Sequence, residues 1–100
     1  MTEAAVREAL SEVIDPELGV NIVDLGLVYG IEVQDARVRV AMTMTSPACP
    51  LGDYLKDLVR ATIRRRVPGV QGVDIDLVWE PPWDPDRMSD AARRQLDGGE

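Results

Sequence analysis

The chain holds one cysteine, Cys49, set in Thr45-Ser46-Pro47-Ala48-Cys49-Pro50. A strand-like run ends just before this segment and a helix-like run begins just after it, with Pro50 at the expected first helical position. That spacing puts Cys49 at or next to an N-cap, where unpaired backbone N–H groups and the positive end of the helix dipole favour an anion. A thiol held there ionises more readily, and the thiolate is both the nucleophile and the soft-metal ligand. The competing role is packing, since a free cysteine often behaves as a small buried hydrophobe.

Three segments carry residues that hydrophobic alternation does not account for: Asp15-Pro16-Glu17, Asn21 to Gly26, and Thr43 to Pro50. In a small sheet the end of the second strand and the start of the second helix form one edge, and the loop after the first helix can lie beside it. Asp15, Glu17, Asp24, Thr45, Ser46 and Cys49 would then converge. Each also has an ordinary local role: Asp15 as a helix stop, Asp24 as a turn residue, Thr45 or Ser46 as a capping hydroxyl.

Several chemistries are excluded by what the sequence lacks. With no histidine, the usual general base and the commonest metal ligand are missing. There is no CxxC pair for a zinc knuckle or a dithiol site, and Gly19 and Gly26 form neither a dinucleotide nor a Walker loop. One thiolate cannot by itself hold an iron–sulfur cluster. Any metal or cluster bound through Cys49 must borrow ligands from a second copy, a partner protein, a small thiol or carboxylates.

The elements that would position these residues are legible in the hydrophobic pattern. A helix is predicted over residues 2–14, capped by Thr2, with Val6, Ala9, Leu10, Val13 and Ile14 on one face and Asp15-Pro16 ending it. Two strands follow. Leu27, Tyr29, Ile31 and Val33 alternate with polar or small residues in the first, and Val38, Val40, Met42 and Met44 alternate with Arg37, Arg39, Ala41 and Thr43 in the second. A hairpin tip at Asp35-Ala36 pairs Val33 with Val38, Ile31 with Val40, Tyr29 with Met42 and Glu32 with Arg39. A second helix from about Leu51 to Arg66 should bury Leu51, Tyr54, Leu55, Leu58, Val59, Thr62 and Ile63, and Val67-Pro68-Gly69 stops it. A third strand, about Val73 to Trp79, should turn Val73, Ile75, Leu77 and Trp79 inward. Pro81-Pro82-Trp83 breaks it, and Ser89 caps a short last helix through Leu96. The expected fold is α+β: a two-layer helix-strand-strand-helix-strand domain over residues 1–97 with a short C-terminal helix, helices on one face of a mixed or antiparallel sheet, and residues 98–100 frayed.

Composition bounds the function class. One hundred residues suffice for one core and leave no room for a second lobe. A net charge of −7, from 18 acidic against 11 basic residues, argues against nucleic-acid binding; the cluster Arg64-Arg65-Arg66 suits a helix C-terminus. No apolar run approaches the roughly 18 residues of a membrane span. No signal peptide is evident, so a cytoplasmic protein without membrane association is expected.

The string Asp15-Pro16-Glu17, Asn21 to Val28, Met42 to Pro50, Pro68-Gly69-Val70, and Trp79-Glu80-Pro81-Pro82-Trp83 followed by Met88-Ser89 and Ala92-Arg93 resembles the PaaD-like and SufT-like iron–sulfur cluster assembly family. The likeness covers nearly the whole chain in order. It implies the iron–sulfur cluster assembly domain fold and a non-enzymatic role in assembling clusters or delivering them to client proteins. Cys49 matches the family's reactive cysteine, and Asp15, Glu17, Thr45 and Ser46 match the motif positions around it. The longer phenylacetate-pathway members carry further cysteines in a C-terminal extension, which this chain lacks, so a general assembly factor is the better fit.

On this reading Cys49 is a transient thiolate ligand for iron or an iron–sulfur cluster. Thr45 and Ser46 hydrogen-bond around it, and Asp15 and Glu17 orient the loop or offer oxygen ligands. Scaffold or carrier proteins and client apo-proteins are the expected partners, with a weak homodimer as a way to complete a ligand set. The rival from another class is an adaptor that docks partners through its acidic surface and a Trp79/Trp83 edge while Cys49 only packs. A small enzyme, such as a reductase acting on a sugar nucleotide, has against it the missing dinucleotide loop, histidine base and second lobe.

Overall fold

The computed structural model describes residues 2–16, 18–45 and 52–97. Helix α1, Glu3–Leu10, opens where Thr2 Oγ1 accepts the Ala5 N–H at 3.0 Å, and buries Val6, Ala9 and Leu10. It ends four residues earlier than the predicted 2–14 because the chain leaves the helix to pair with a later segment. The Ile22 N–H donates to the Val13 carbonyl at 2.9 Å and the Asp15 N–H to the Val20 carbonyl at 3.0 Å. Val13 stays in the core, whereas Ile14, predicted on the buried face, is 46% exposed.

Strands β1, Val28–Gln34, and β2, Arg37–Met42, form the expected hairpin with Val33 opposite Val38, Ile31 opposite Val40 and Glu32 opposite Arg39. Of the two tip residues only Asp35 lies at positive φ, 54°, which Asp tolerates and Ala36 is spared. The predicted Tyr29–Met42 pair does not form. The register shifts between Val28 and Gly30, so Val28 faces Met42 and Tyr29 is the extra residue of a bulge. Its hydroxyl donates to the Pro81 carbonyl at 2.8 Å and the Arg87 guanidinium lies 4.7 Å from its ring centre. A phenol needs such a polar partner, and the bulge turns it toward one.

Helix α2, Gly52–Arg66, buries Leu55, Val59, Thr62 and Ile63. Tyr54 was predicted with them but is 54% exposed; it sits one residue, about 100°, off the stripe at 55, 59 and 63. Strand β3, Gly72–Leu77, runs parallel to β2, with Arg37 opposite Gly72 and Met42 opposite Leu77, so the sheet is mixed with order β1-β2-β3. Pairing closes at the bond from Val78 N–H to the Met42 carbonyl, 2.8 Å. Trp79, predicted inward, lies beyond it and is 42% exposed.

Helices α1 and α2 share one face of the sheet, over Val38, Val40, Met42 and Ile75. The opposite face carries Arg39 bonded to Asp76 at 2.6 Å and Arg37 to Asp74 at 3.4 Å, all in water. The hydrogen bond that Arg39 donates to the Asp76 carboxylate, then that carboxylate's charge, raises the Arg39 pKa. Exposed pairs of this kind add little stability. Arg66 and Arg65 reach Glu12, at 2.8 and 3.9 Å, so the arginine cluster ties the end of α2 to the chain after α1.

After β3 the chain becomes a strap. It runs through a 3₁₀ turn at Pro85–Arg87 into α3, Asp90–Asp97, which Ser89 caps by accepting the Ala92 N–H at 3.1 Å. The strap is stitched to residues 19–29: the Trp83 indole N–H donates to the Leu25 carbonyl at 2.7 Å, the Ser89 N–H to the Asp24 carbonyl at 2.7 Å, and the Gln95 amide to the Gly19 carbonyl at 3.1 Å. Residues 98–100, expected to fray, lie outside the described residues.

Gly26 shows how closely the strap approaches. Its φ is +80° and a Cβ there would stand 2.7 Å from Arg87 Cβ, whereas Gly69, at φ +85°, has open space around it. Gly69→Ala should cost about 1–2 kcal/mol, the conformational penalty alone. Gly26→Ala should cost that plus a displacement of the strap, about 3 kcal/mol or more in all. Urea denaturation of the two variants checks the difference; equal losses would mean the strap is not fixed against Gly26.

Candidate functional site

A backbone seam brings the candidate loops side by side. Residues 13–15 pair with 20–22, Leu27 N–H donates to the Ile22 carbonyl at 3.0 Å, and Thr43 N–H donates to the Leu27 carbonyl at 2.8 Å. The Asp15 loop therefore reaches the end of β2 through three hydrogen-bonded steps. Within the seam Asn21 and Asp24 brace each other: the Asn21 amide donates to Asp24 Oδ2 at 2.7 Å and the Asp24 N–H to Asn21 Oδ1 at 2.9 Å. Asp24 is thus occupied as a turn residue.

Asp15 is 3% exposed. Its Oδ1 accepts the Leu18 N–H at 3.3 Å and its carbonyl accepts the Gly19 N–H at 2.7 Å, closing a tight turn around Gly19, whose φ is +70°. The aspartate shapes the loop that carries Glu17. Thr45, half-buried, stands at the last described position after β2. Cys49, Ser46 and Glu17 lie outside the described residues, so of the five site residues predicted from sequence the structure places Asp15 and Thr45.

The other anchor of the 46–51 connection is Gly52, at the start of α2. A Cβ on Gly52 would lie 3.9 Å from Leu77 Cδ1, and Leu77 is the partner of Met42 across the sheet. Both ends of the connection are therefore held at the carboxyl ends of β2 and β3. Among the described residues no three His, Cys, Asp or Glu side chains group as a metal site.

One residue near the site escaped the sequence reading. Alternation sends Thr43 to the wet face with Arg39 and Ala41, yet it is 0% exposed and its Oγ1 has no hydrogen-bond partner among the described residues. The residue lies just past the end of β2, where its N–H donates to the Leu27 carbonyl. A sealed, unpaired hydroxyl typically costs about 1–3 kcal/mol. Trp83 was also misread as part of an open edge. It packs on the core and uses its N–H on Leu25, so a charged residue there would disturb the fold and not only an interface.

Comparison with known proteins identifies the family. The sequence model described as "Iron-sulfur cluster assembly protein" matches residues 3–76. The chain belongs to that family. It is 48% identical over 85 residues to the Fe-S protein maturation auxiliary factor SufT of Staphylococcus aureus, covering 84% of this chain and 96% of that protein. It is 45% identical over 96 residues to an Fe-S protein maturation auxiliary factor of Porphyromonas gingivalis, covering 95% and 90%. A crystal structure of a DUF59 domain from Bacillus anthracis superposes with a TM-score of 0.93 at 40% identity over 95% of this chain and 91% of that one. The predicted α+β fold and the resemblance to SufT-like assembly proteins are borne out. Among the described residues no helix is long and apolar enough to cross a membrane.

Because Asp15 is enclosed and holds its turn together, Asp15→Ala should lower stability by about 1–3 kcal/mol, the cost of leaving the Leu18 N–H without its acceptor, while Asp15→Asn, which keeps an oxygen acceptor, should lose less. Thermal unfolding of both variants decides it; equal and negligible losses would mean the carboxylate does not hold the loop.

Proposed function

We propose that this chain is an accessory factor in the maturation of iron–sulfur proteins, acting in cluster assembly or in delivery to client apo-proteins alongside scaffold or carrier proteins. The observation that carries the reading is the match to SufT of Staphylococcus aureus across 84% of this chain and 96% of that protein. The cluster is cargo, and Cys49 is the residue that meets it as a thiolate, a soft ligand suited to iron–sulfur chemistry. Thr45 and Ser46 hydrogen-bond around that sulfur. Asp15 orients the neighbouring loop, as its enclosure and its bond to Leu18 support, leaving Glu17 as the carboxylate that offers oxygen.

One thiolate per chain leaves a cluster's ligand set incomplete, so a second copy or a partner supplies the rest. No catalysis is needed for that role: the chain binds, holds and releases. The adaptor reading draws on a different observation, the exposure of Tyr54 and Trp79, which lie at the start of α2 and just past β3. Such aromatic side chains serve as contact residues, and they would dock a client whether or not Cys49 meets the cargo.

The test is replacement of the resident maturation factor in a bacterium by this chain and by Cys49→Ser. Serine is a good N-cap of similar size, so folding should persist. Wild type should restore client iron–sulfur enzyme activity and Cys49→Ser should not. Full restoration by Cys49→Ser would favour the adaptor reading, and a stability loss of several kcal/mol would mark Cys49 as a packing residue.

A further inference from the structure

We propose that the niche between the start of β1 and the strap is a docking site for an acidic segment of a partner polypeptide, an aspartate or glutamate flanked by apolar residues, with Arg87 as the group that binds its carboxylate. The niche, about 420 Å³ in volume, is lined by Gly26, Val28, Tyr29, Pro81 and Arg87. The assignment is independent of Cys49 and of any cluster.

Arg87 is held in place without being satisfied. Its guanidinium lies 4.7 Å from the Tyr29 ring centre, that ring is fixed by the 2.8 Å bond from its hydroxyl to the Pro81 carbonyl, and the Arg87 backbone and Cβ close against Gly26. Among the described residues the guanidinium has neither a carboxylate nor a carbonyl to donate to, whereas Arg93 on the same strap takes Asp86 at 3.4 Å. In a chain with 18 acidic residues, a fixed arginine left without an acceptor keeps its N–H fork for a carboxylate from outside. An exposed ion pair usually gains little, because two mobile side chains must be immobilised to form it. Here one of them is already immobilised, which lowers the cost of binding.

The walls select the occupant. Val28, the Tyr29 ring and Pro81 set apolar surface beside the charge, which suits a carboxylate with hydrocarbon neighbours; a phosphorylated segment is met by clusters of arginines, and here there is one. No residue of β2 or β3 lines the niche, so it lies at the β1 margin of the sheet. β1 is an edge strand, and among the described residues no strand pairs its outer side. An extended polypeptide seated on Arg87 can continue along that edge through backbone hydrogen bonds, which a free small carboxylate cannot do.

The experiment titrates the full chain, at low salt, with end-capped pentapeptides in which a central Asp or Glu is flanked by Val, Leu or Phe, and with their Asn and Gln analogues. Binding is followed by nitrogen-15 NMR at the Arg87 Nε–H, and the Trp83 indole N–H reports whether the strap stays in place. Acidic peptides should move the Arg87 signal and bind about fivefold more tightly than their amide analogues. Arg87→Gln should weaken the acidic peptides about fivefold and abolish the preference for acid over amide, while Arg94→Gln, which removes the same charge from the end of α3, should stay within about twofold of wild type. Sodium acetate at the peptide's concentration should leave the peptide bound.

The acid-to-amide comparison is made on wild type, so it decides the matter even if Arg87→Gln disturbs the strap. Absence of binding by every peptide, absence of the acid preference in wild type, or equal weakening by Arg94→Gln and Arg87→Gln would each overturn the proposal. Displacement of the peptide by an equal concentration of acetate would overturn it as well, leaving the niche a site for small carboxylates only.

Discussion

Parallel pairing of β2 with β3 is the constraint from which the rest of the molecule follows. Strands that run the same way cannot be joined by a tight turn, so the chain must cross over, and α2 is that crossover. The crossover leaves β2 at its carboxyl end, the end of a sheet where α/β folds commonly place ligands. It also commits α2 to one face of the sheet. With α1 beside it that face becomes the core, and the other is left to exposed Arg–Asp pairs.

The edge so created would be bare without the two segments that close it. The seam through residues 13–15, 20–22, 27 and 43 extends the backbone pairing past the formal end of β2, and the strap after Trp79 is pinned to the outer side of that seam by Trp83, Ser89 and Gln95. Gly26 permits the strap to touch the seam, since any side chain there would displace Arg87. The strap lies outside the segment matched by the family's sequence model. Its hydrogen bonds nevertheless make it the outer wall of the region that positions the site.

Much of this was readable from the residues. Strand alternation with a two-residue tip fixed the Val33–Val38 and Ile31–Val40 register, and the apolar stripe on α2 was found apart from its ends. Most of the misses share a physical cause. Ile14, Trp79 and Thr43 stand where regular structure stops, and there periodicity no longer reports which side faces the core, whereas Tyr54 lies inside α2 one residue off its buried stripe. At those places the outcome depends on which distant segment arrives, a long-range fact that local pattern does not contain. Tyr29 erred in the same way: the strap's Pro81 carbonyl and Arg87, more than fifty residues on, decide its bulge.

Of the site itself, sequence supplied the residue types and the fold supplied the scaffold. Asp15 was read as either a helix stop or an oxygen ligand, and its enclosed turn shows that shaping the loop already engages it. A carboxylate so engaged is a poor donor of further ligation, because leaving its backbone partner would strand that N–H in a buried place. Under the proposed function, meeting a soft cargo would then fall to the thiol, and a single thiol holds a cluster only in company. If the chain hands clusters on as proposed, that incompleteness serves it: a chain that satisfied every iron would bind too tightly to release the cluster.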